Sequence, residues 1–212
     1  IVFTEHFNGR ISRVAADGTR GVVVDSYEGG RLNSPNDLVY GLDGWLYFTD
    51  PPYGLEGLEE SPLRELDFNG IYRLSPAGNL QLLNADQTRP NGIVLSPDDL
   101  TLYVSNSDEN QMVWYEYDIG ERGLSEPRIF YDVSDQMGTG VPDGMTVDLA
   151  GNIFATGPGG VWIFAPDGTH LGTIQPDEVP ANVAWGDDGY TLYMTARTGL
   201  YRIQLTTEGR IL

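Results

Sequence analysis

The chain has 212 residues, 40% of them hydrophobic and 20% charged, which is enough to form a large hydrophobic core. It carries 12 Lys and Arg residues against 31 Asp and Glu residues, and the net charge of −19 disfavours nucleic acids and anionic membrane surfaces as partners. The absence of cysteine excludes disulfides and thiolate metal sites, and two histidines exclude a three-histidine zinc site. No apolar run approaches the roughly 20 residues of a membrane-spanning helix.

The first 24 residues are typical of three short β-strands joined by turns. The segment IVFTE at 1–5 matches LYFTD at 46–50, so the chain begins on the second strand of a unit that recurs later. Without a first strand, the inner face of this N-terminal unit is expected to be poorly covered at four apolar residues: Ile1, Phe3, Ile11 and Val14. Its open edge is also expected to favour self-association.

The repeated unit begins with a polar Asx residue, continues into a short apolar strand and a Gly/Asp turn, and ends in an alternating aromatic strand. Four segments follow this order: PNDLVYGLDGWLYFTD (35–50), PNGIVLSPDDLTLYVSN (90–106), PDGMTVDLAGNIFATG (142–157) and ANVAWGDDGYTLYMTA (181–196). A third strand and usually a hairpin follow, with turns such as PAGN and PDGT that suit tight hairpins. No segment shows a sustained helical period.

A four-stranded unit that recurs at this spacing predicts a β-propeller. The Asx residues that open the four units are 39 to 55 residues apart. We predict an all-β fold in one partial propeller domain, 1–212, with about four and three-quarter blades. The four complete blades are expected at 35–84, 90–131, 142–175 and 181–212. A β-sandwich would also contain many strands, but it would not repeat the motif order.

Three segments together resemble a known family: RLNSPNDLVYGLDGWLYFTDPPYGL (31–55), RPNGIVLSPDDLTLYVSNSD (89–108) and VPDGMTVDLAGNIFATG (141–157). They are similar to the gluconolactonase/regucalcin (senescence marker protein) family of six-bladed β-propellers, and the resemblance covers essentially the whole chain. It implies a ring of six blades. The chain is then expected to be a fragment that is short by about one and a quarter blades on the N-terminal side.

The Asx residues at the entry of each innermost strand are the candidate ligands: Asn36, Asn91, Asp143 and Asn182. In a propeller, equivalent positions point towards one place on the axis. Oxygen-bearing side chains without His or Cys suit a hard cation such as Ca²⁺. The alternative is that each Asx only caps a turn. For Asp50, Asn106 and Asp108, at the ends of second strands, capping is favoured over a structural cation.

The resemblance implies roles for individual residues. Asp143 matches the metal-binding aspartate that is also proposed as the general base, and Asn91 matches the metal-binding asparagine. Asn36 matches an asparagine that binds metal in some members and substrate in others. Asn182 is a further candidate for substrate binding. The family's Glu-Gly-Pro motif is absent, which leaves one formal negative charge and predicts weak cation binding.

Tyr53, in the loop after a second strand, is a candidate for the pocket mouth, and a rigid-turn role is its alternative. The expected function is hydrolysis of sugar lactones or similar small esters, dependent on Ca²⁺ or another divalent cation such as Zn²⁺, Mn²⁺ or Mg²⁺. The alternative is a non-catalytic, incomplete propeller with a residual metal or ligand site. A small lactone or ester is the expected partner, with no nucleic acid or membrane. The expected location is cytoplasmic, or undefined if the native N-terminus is missing.

Overall fold

The computed structural model describes residues 1–121 and 123–211, and the chain forms two compact units, Ile1–Asn91 and Gly92–Leu212. In the described residues, the secondary structure consists of 21 β-strands and one 3-10 helix, Leu58–Glu60. No helix in this part of the chain is long and apolar enough to cross a bilayer. The predicted all-β class is therefore confirmed, whereas the single domain stays a prediction.

The first unit opens with an antiparallel sheet of three strands, here named blade 1: β1 (Val2–Glu5), β2 (Arg10–Val14) and β3 (Arg20–Val24). This confirms the three strands expected in the first 24 residues. Ile1 is 90% exposed, in line with the expected poor coverage. The expectation is wrong for Ile11, which is 0% exposed because it packs with Leu32 and Leu46 in the core of this unit.

A short hairpin leads from blade 1 into a four-stranded sheet. The hairpin contains β4 (Ser26–Tyr27) and β5 (Gly30–Arg31). The sheet, blade 2, contains β6 (Leu38–Tyr40), β7 (Leu46–Asp50), β8 (Gly70–Leu74) and β9 (Leu80–Asn84) in that order. The turn between β8 and β9 holds Gly78 at φ 86°, a conformation that favours glycine. The core of the unit includes Phe48 stacked on Tyr72 at a centroid distance of 5.1 Å.

The next sheet, blade 3, begins at the boundary between the units, which falls within its first strand. Its strands are β10 (Pro90–Leu95), β11 (Thr101–Asp108), β12 (Gln111–Gly120), β13 (Gly123–Leu124) and β14 (Arg128–Asp132). The order is β10-β11-β12, and β12 pairs with both β13 and β14. The long β11 and β12 pair over eight consecutive positions, from Thr101 opposite Asp118 to Asp108 opposite Gln111.

Two further sheets complete the second unit. Blade 4 contains β15 (Met145–Val147), β16 (Ile153–Gly157), β17 (Gly160–Phe164) and β18 (His170–Ile174). Blade 5 contains β19 (Pro180–Gly186), β20 (Thr191–Ala196) and β21 (Gly199–Gln204). One apolar cluster joins blades 3 and 4, and another joins blades 4 and 5. The cores therefore lie between successive sheets, as face-to-face packing of sheets requires.

The end of the chain departs from the prediction of a complete blade at 181–212. In the described residues, blade 5 has three strands, and Gly209 forms an isolated bridge with Asp148 instead of adding a fourth. The buried Arg210 guanidinium donates to the carbonyls of Leu95 at 3.0 Å and Ser96 at 2.8 Å. It also pairs with Asp99. These contacts tie the segment to blade 3; Leu212 lies outside the described residues.

Candidate functional site

In the first unit, two of the predicted ligands meet. Asn36 precedes β6 and Asn91 lies in β10, and Asn36 Nδ2 donates to Asn91 Oδ1 at 2.8 Å. The Asn36 amide donates to the carbonyl of Thr49 at 2.9 Å, which ties the strand entry to the end of β7. Asn91 is 6% exposed and Asn36 is half-buried. Two entry residues that are 55 positions apart are therefore side-chain neighbours.

In the second unit, Asp143 and Asn182 occupy the corresponding strand entries. Asp143 is half-buried just before β15, and its amide donates to the carbonyl of Thr156 at 3.1 Å. Asn182 lies in β19 and is exposed, and its Oδ1 accepts the amide of Val183 at 2.8 Å. The bond between Asn182 and Val183 joins neighbouring residues, which is what the turn-capping alternative expects of an Asx side chain.

In the second unit, the glycine that follows an Asx residue lets the next strand entry lie directly against it. A Cβ on Gly92 would lie 2.1 Å from the Asp143 carbonyl oxygen, and a Cβ on Gly144 would lie 2.1 Å from Asn182 Oδ1. At Gly92 the Cβ would meet backbone atoms, whereas at Gly144 the exposed side chain of Asn182 would have to move. The PNG and PDG motifs thus combine an oxygen-bearing side chain with a residue that lets the neighbouring strand entry come into contact.

The loop that leads to Asn36 is held by a buried carboxylate. Asp50 is 0% exposed and accepts the amides of Asn33 at 2.8 Å and Ser34 at 2.7 Å. Burial raises the pKa of Asp50 to about 7, while the two amide hydrogen bonds act in the opposite direction. The Ser34 hydroxyl donates to the carbonyl of Pro51 at 2.6 Å. Asp50 therefore caps this loop, the role favoured for it from the sequence.

Tyr53 lies in a packed loop of the first unit. The guanidinium of Arg89 sits over its ring at 5.9 Å from the centroid and pairs with Glu59 at 2.9 Å. The adjacent Gly54 abuts His6, since a Cβ there would lie 2.7 Å from the His6 backbone. These contacts give the loop a defined shape, and a substrate-binding role for Tyr53 stays a prediction. No sequence pattern indicated that Arg89 contacts Tyr53.

The carboxylate of Glu5, at the end of β1, is bound by side chains of the neighbouring strand β2. Its carboxylate accepts from Arg10 Nε at 3.0 Å and from the Ser12 hydroxyl, both in β2. These bonds, with one from Asn8, lower the pKa of Glu5 to about 2. The Glu5 carboxylate is therefore bound by side chains within blade 1.

The predicted ligands are oxygen donors with one carboxylate among them. In residues 1–121 and 123–211, no group of three or more His, Cys, Asp or Glu side chains is arranged to hold a metal. Asn91 Oδ1 accepts the hydrogen bond from Asn36 Nδ2, so these two amide groups are held side by side. Amide and carboxylate oxygens fit a hard cation such as Ca²⁺, and a single negative charge predicts low affinity.

Residues 1–198 match the family described as SMP-30/Gluconolactonase/LRE-like region. The chain belongs to this family. It is 46% identical to a gluconolactonase from Zymomonas mobilis over 197 residues, which cover 90% of this chain and 55% of that protein. A solved gluconolactonase from Xanthomonas campestris is 33% identical, with a TM-score of 0.85 over 99% of this chain and 68% of that one. The predicted propeller fold class is thereby confirmed.

A calcium-binding protein, regucalcin from Agrobacterium tumefaciens, is 21% identical with a TM-score of 0.77 and shares the fold. It is matched over 99% of this chain and 74% of its own. The chain spans about half to three fifths of the length of the first curated relatives that it matches.

Proposed function

We propose that the protein hydrolyses sugar lactones or similar small cyclic esters. The observation that carries the proposal is the 46% identity to a gluconolactonase over 90% of the chain. The strand-entry residues support it, because Asp143 stands at the position that the family resemblance assigns to the general base. Its strand entry is held by hydrogen bonds and close contacts within the second unit.

In the proposed reaction, water attacks the carbonyl carbon of the lactone while the Asp143 carboxylate accepts a proton from that water. The ring C–O bond then breaks, and the departing ring oxygen takes a proton, so that one hydroxy acid forms from one lactone and one water. Asn36, Asn182 and Tyr53 are proposed to contact the substrate. Amide groups are suited to this because each carries both hydrogen-bond donors and an acceptor for sugar hydroxyls.

We also propose that Asn36, Asn91 and Asp143 supply oxygen ligands to a divalent cation, Ca²⁺ being the first choice. Such an ion, when bound, polarises a carbonyl and stabilises developing negative charge. The proposal rests on the chemistry of the donors, their equivalent places in the repeats and the name of the regucalcin relative. Zn²⁺, Mn²⁺ and Mg²⁺ are the competing ions.

A non-catalytic, ligand-binding propeller is the second candidate. The observation that favours it is the single carboxylate in the predicted ligand set, together with the absence of a cluster of acidic and histidine side chains from the described residues. Both candidates predict cation binding, and only the first predicts turnover.

The test is proton release from glucono-1,5-lactone at constant pH, corrected for spontaneous hydrolysis. Loss of a general base costs roughly 10²- to 10⁴-fold in rate, so Asp143→Asn is expected to fall by at least about 100-fold. The control is Asp167→Asn, because Asp167 bonds the amide of Thr169 in an exposed hairpin turn. Equal rates for the two variants would contradict the assignment of Asp143.

Calcium binding and turnover, measured on the same protein, separate the two candidates. Asp143→Asn is expected to weaken Ca²⁺ binding far more than Asp167→Asn does, and chelation followed by Ca²⁺ addition is expected to abolish and restore turnover. Binding without turnover in the wild-type protein would favour the non-catalytic alternative. Identical calcium titrations for both variants would remove Asp143 from the ligand set.

A further inference from the structure

A hydroxyl side chain occupies the same place near the end of the second strand in all five repeats. These residues are Thr4, Thr49, Ser105, Thr156 and Thr195, each the fourth residue of the segments IVFTE, LYFTD, LYVSN, IFATG and LYMTA. Thr49, Ser105 and Thr156 are 0% exposed. A buried hydroxyl requires a hydrogen-bond partner, so its target shows what this position does.

The first three hydroxyls donate to the backbone carbonyl of the Asx residue that opens the following blade. Thr4 donates to Asn36 at 2.9 Å and Thr49 donates to Asn91 at 2.6 Å, both within the first unit. Ser105 donates to Asp143 at 2.9 Å within the second unit. The fourth differs, since Thr156 donates to the carbonyl of Gly144 in its own blade at 3.0 Å and reaches the carbonyl of Ala181, just before Asn182, at 3.3 Å.

Ser105 uses its hydroxyl in both directions. It accepts the amide of Gly92 at 2.7 Å and donates to the carbonyl of Asp143 at 2.9 Å. A Cβ at Gly92 would lie 2.1 Å from that same carbonyl, so the three groups are in tight contact. The hydroxyl therefore fixes the backbone of Asp143 from a neighbouring sheet, whereas the Asp143 amide is held within its own blade by Thr156.

We propose that Ser105 is the positioning residue for Asp143, and that Thr4 and Thr49 do the same for Asn36 and Asn91. This inference rests on the proposed function, because positioning matters for turnover only if Asp143 acts on the substrate. Each hydroxyl holds the backbone carbonyl of the Asx residue, and not its side chain. Fixing the backbone restricts the directions that a short Asp or Asn side chain takes.

The test compares Ser105→Ala, Ser105→Thr and a matched control, Ser96→Ala. Ser96 lies in the turn at the other end of the β10–β11 pair, is 9% exposed, and donates to Asp98 at 2.6 Å. Thr is a suitable rescue because blades 2 and 4 carry Thr at this place. Small displacements of a reacting group cost up to about 100-fold in rate, so kcat for Ser105→Ala is expected to fall about tenfold with little change in KM.

Amide hydrogen exchange over residues 142–146 gives a readout that needs no activity. Ser105→Ala is expected to speed exchange there at least several-fold, Ser105→Thr to restore it, and Ser96→Ala to leave it unchanged. Equal exchange and equal kcat in Ser105→Ala and Ser96→Ala would overturn the proposal. Failure of Thr to rescue an impaired Ala variant would overturn the role of the hydroxyl in favour of packing.

The two proposals fail in distinguishable ways. A wild-type protein without lactonase activity would contradict the proposed function and the catalytic part of this inference. The exchange measurement would still decide whether Ser105 fixes Asp143. An active wild-type protein whose residues 142–146 exchange at the same rate in all variants would overturn the inference and leave the proposed function standing.

Discussion

Asp50 is expected to make the stability of the protein fall as pH rises from about 4 to about 7. Its carboxyl is 0% exposed, and burial raises its pKa to about 7, against an ordinary value of 3.8 for the free side chain. Below 3.8 the folded and unfolded states both hold the proton. Between the two pKa values the folded state holds it and the unfolded state does not, so protonation favours folding and this contribution is lost as pH increases.

The magnitude follows from the separation of the two pKa values. One pKa unit corresponds to about 1.4 kcal/mol, so this single group changes the free energy of unfolding on the order of 4 kcal/mol across the window. The opposite sign applies to Glu5, whose pKa is lowered to about 2. The contribution of Glu5 is present above its ordinary pKa of 4.5 and is lost as pH falls towards 2, so it overlaps the window of Asp50 only below pH 4.5.

The assay is urea unfolding of the wild type and Asp50→Asn at several pH values from 4 to 8. Asn has the same shape and does not titrate, so the difference between the two free energies isolates Asp50 from the other acidic residues. Asp43→Asn is the control, because Asp43 bonds the amide of Trp45 in an exposed turn. A difference between wild type and Asp50→Asn that stays constant with pH would refute the reasoning.

Three further variants test contacts inside each unit. Gly92→Ala is expected to reduce lactone hydrolysis at least about tenfold, because its Cβ would meet the Asp143 backbone, whereas Gly172→Ala meets nothing within 4 Å and serves as the control. Ile11→Ala is expected to lower the free energy of unfolding by about 2–5 kcal/mol in urea, since Ile11 is fully buried; a loss below 1 kcal/mol would contradict the packing. Arg210→Ala is expected to cost about 3 kcal/mol, because it leaves the largely buried Asp99 without its ion-pair partner; an unchanged melting temperature would contradict this.

Local patterns were sufficient to predict most of the fold. The alternation of apolar and polar residues, punctuated by turns such as PAGN, located the strands, and the predicted blade at 35–84 ends where β9 ends, at Asn84. The tail was not predictable in this way. Arg210 finds its carbonyl partners 114 and 115 residues away in the chain, and no local propensity indicates so distant a contact.

The sequence predicted which residues belong to the candidate site, but it did not predict which of them contact each other. Repetition singled out Asn36, Asn91 and Asp143 because each opens a unit, and the structure adds the bond between Asn36 and Asn91. The burial of Ile11 was missed because the sequence indicates an uncovered face without showing that the residues around Leu32 pack against it. The burial of Asp50 was missed for a related reason, since a carboxylate at the end of a strand is usually solvated.

A Thr or Ser recurs at the fourth place of each second-strand segment, and this pattern is visible in the sequence. It did not indicate a role for the hydroxyl. In a sheet with one solvated face, a Thr or Ser between apolar residues is simply the outward position, and its recurrence needs no further explanation. In stacked sheets both faces are covered, so the same residue must find a partner in the neighbouring sheet or pay the cost of a buried, unsatisfied hydroxyl. Ser105 finds the carbonyl of Asp143. A polar residue that recurs at one register in sheets packed on both faces is therefore evidence of a contact between sheets. In the first three repeats that contact ends on residues proposed to bind cation and substrate.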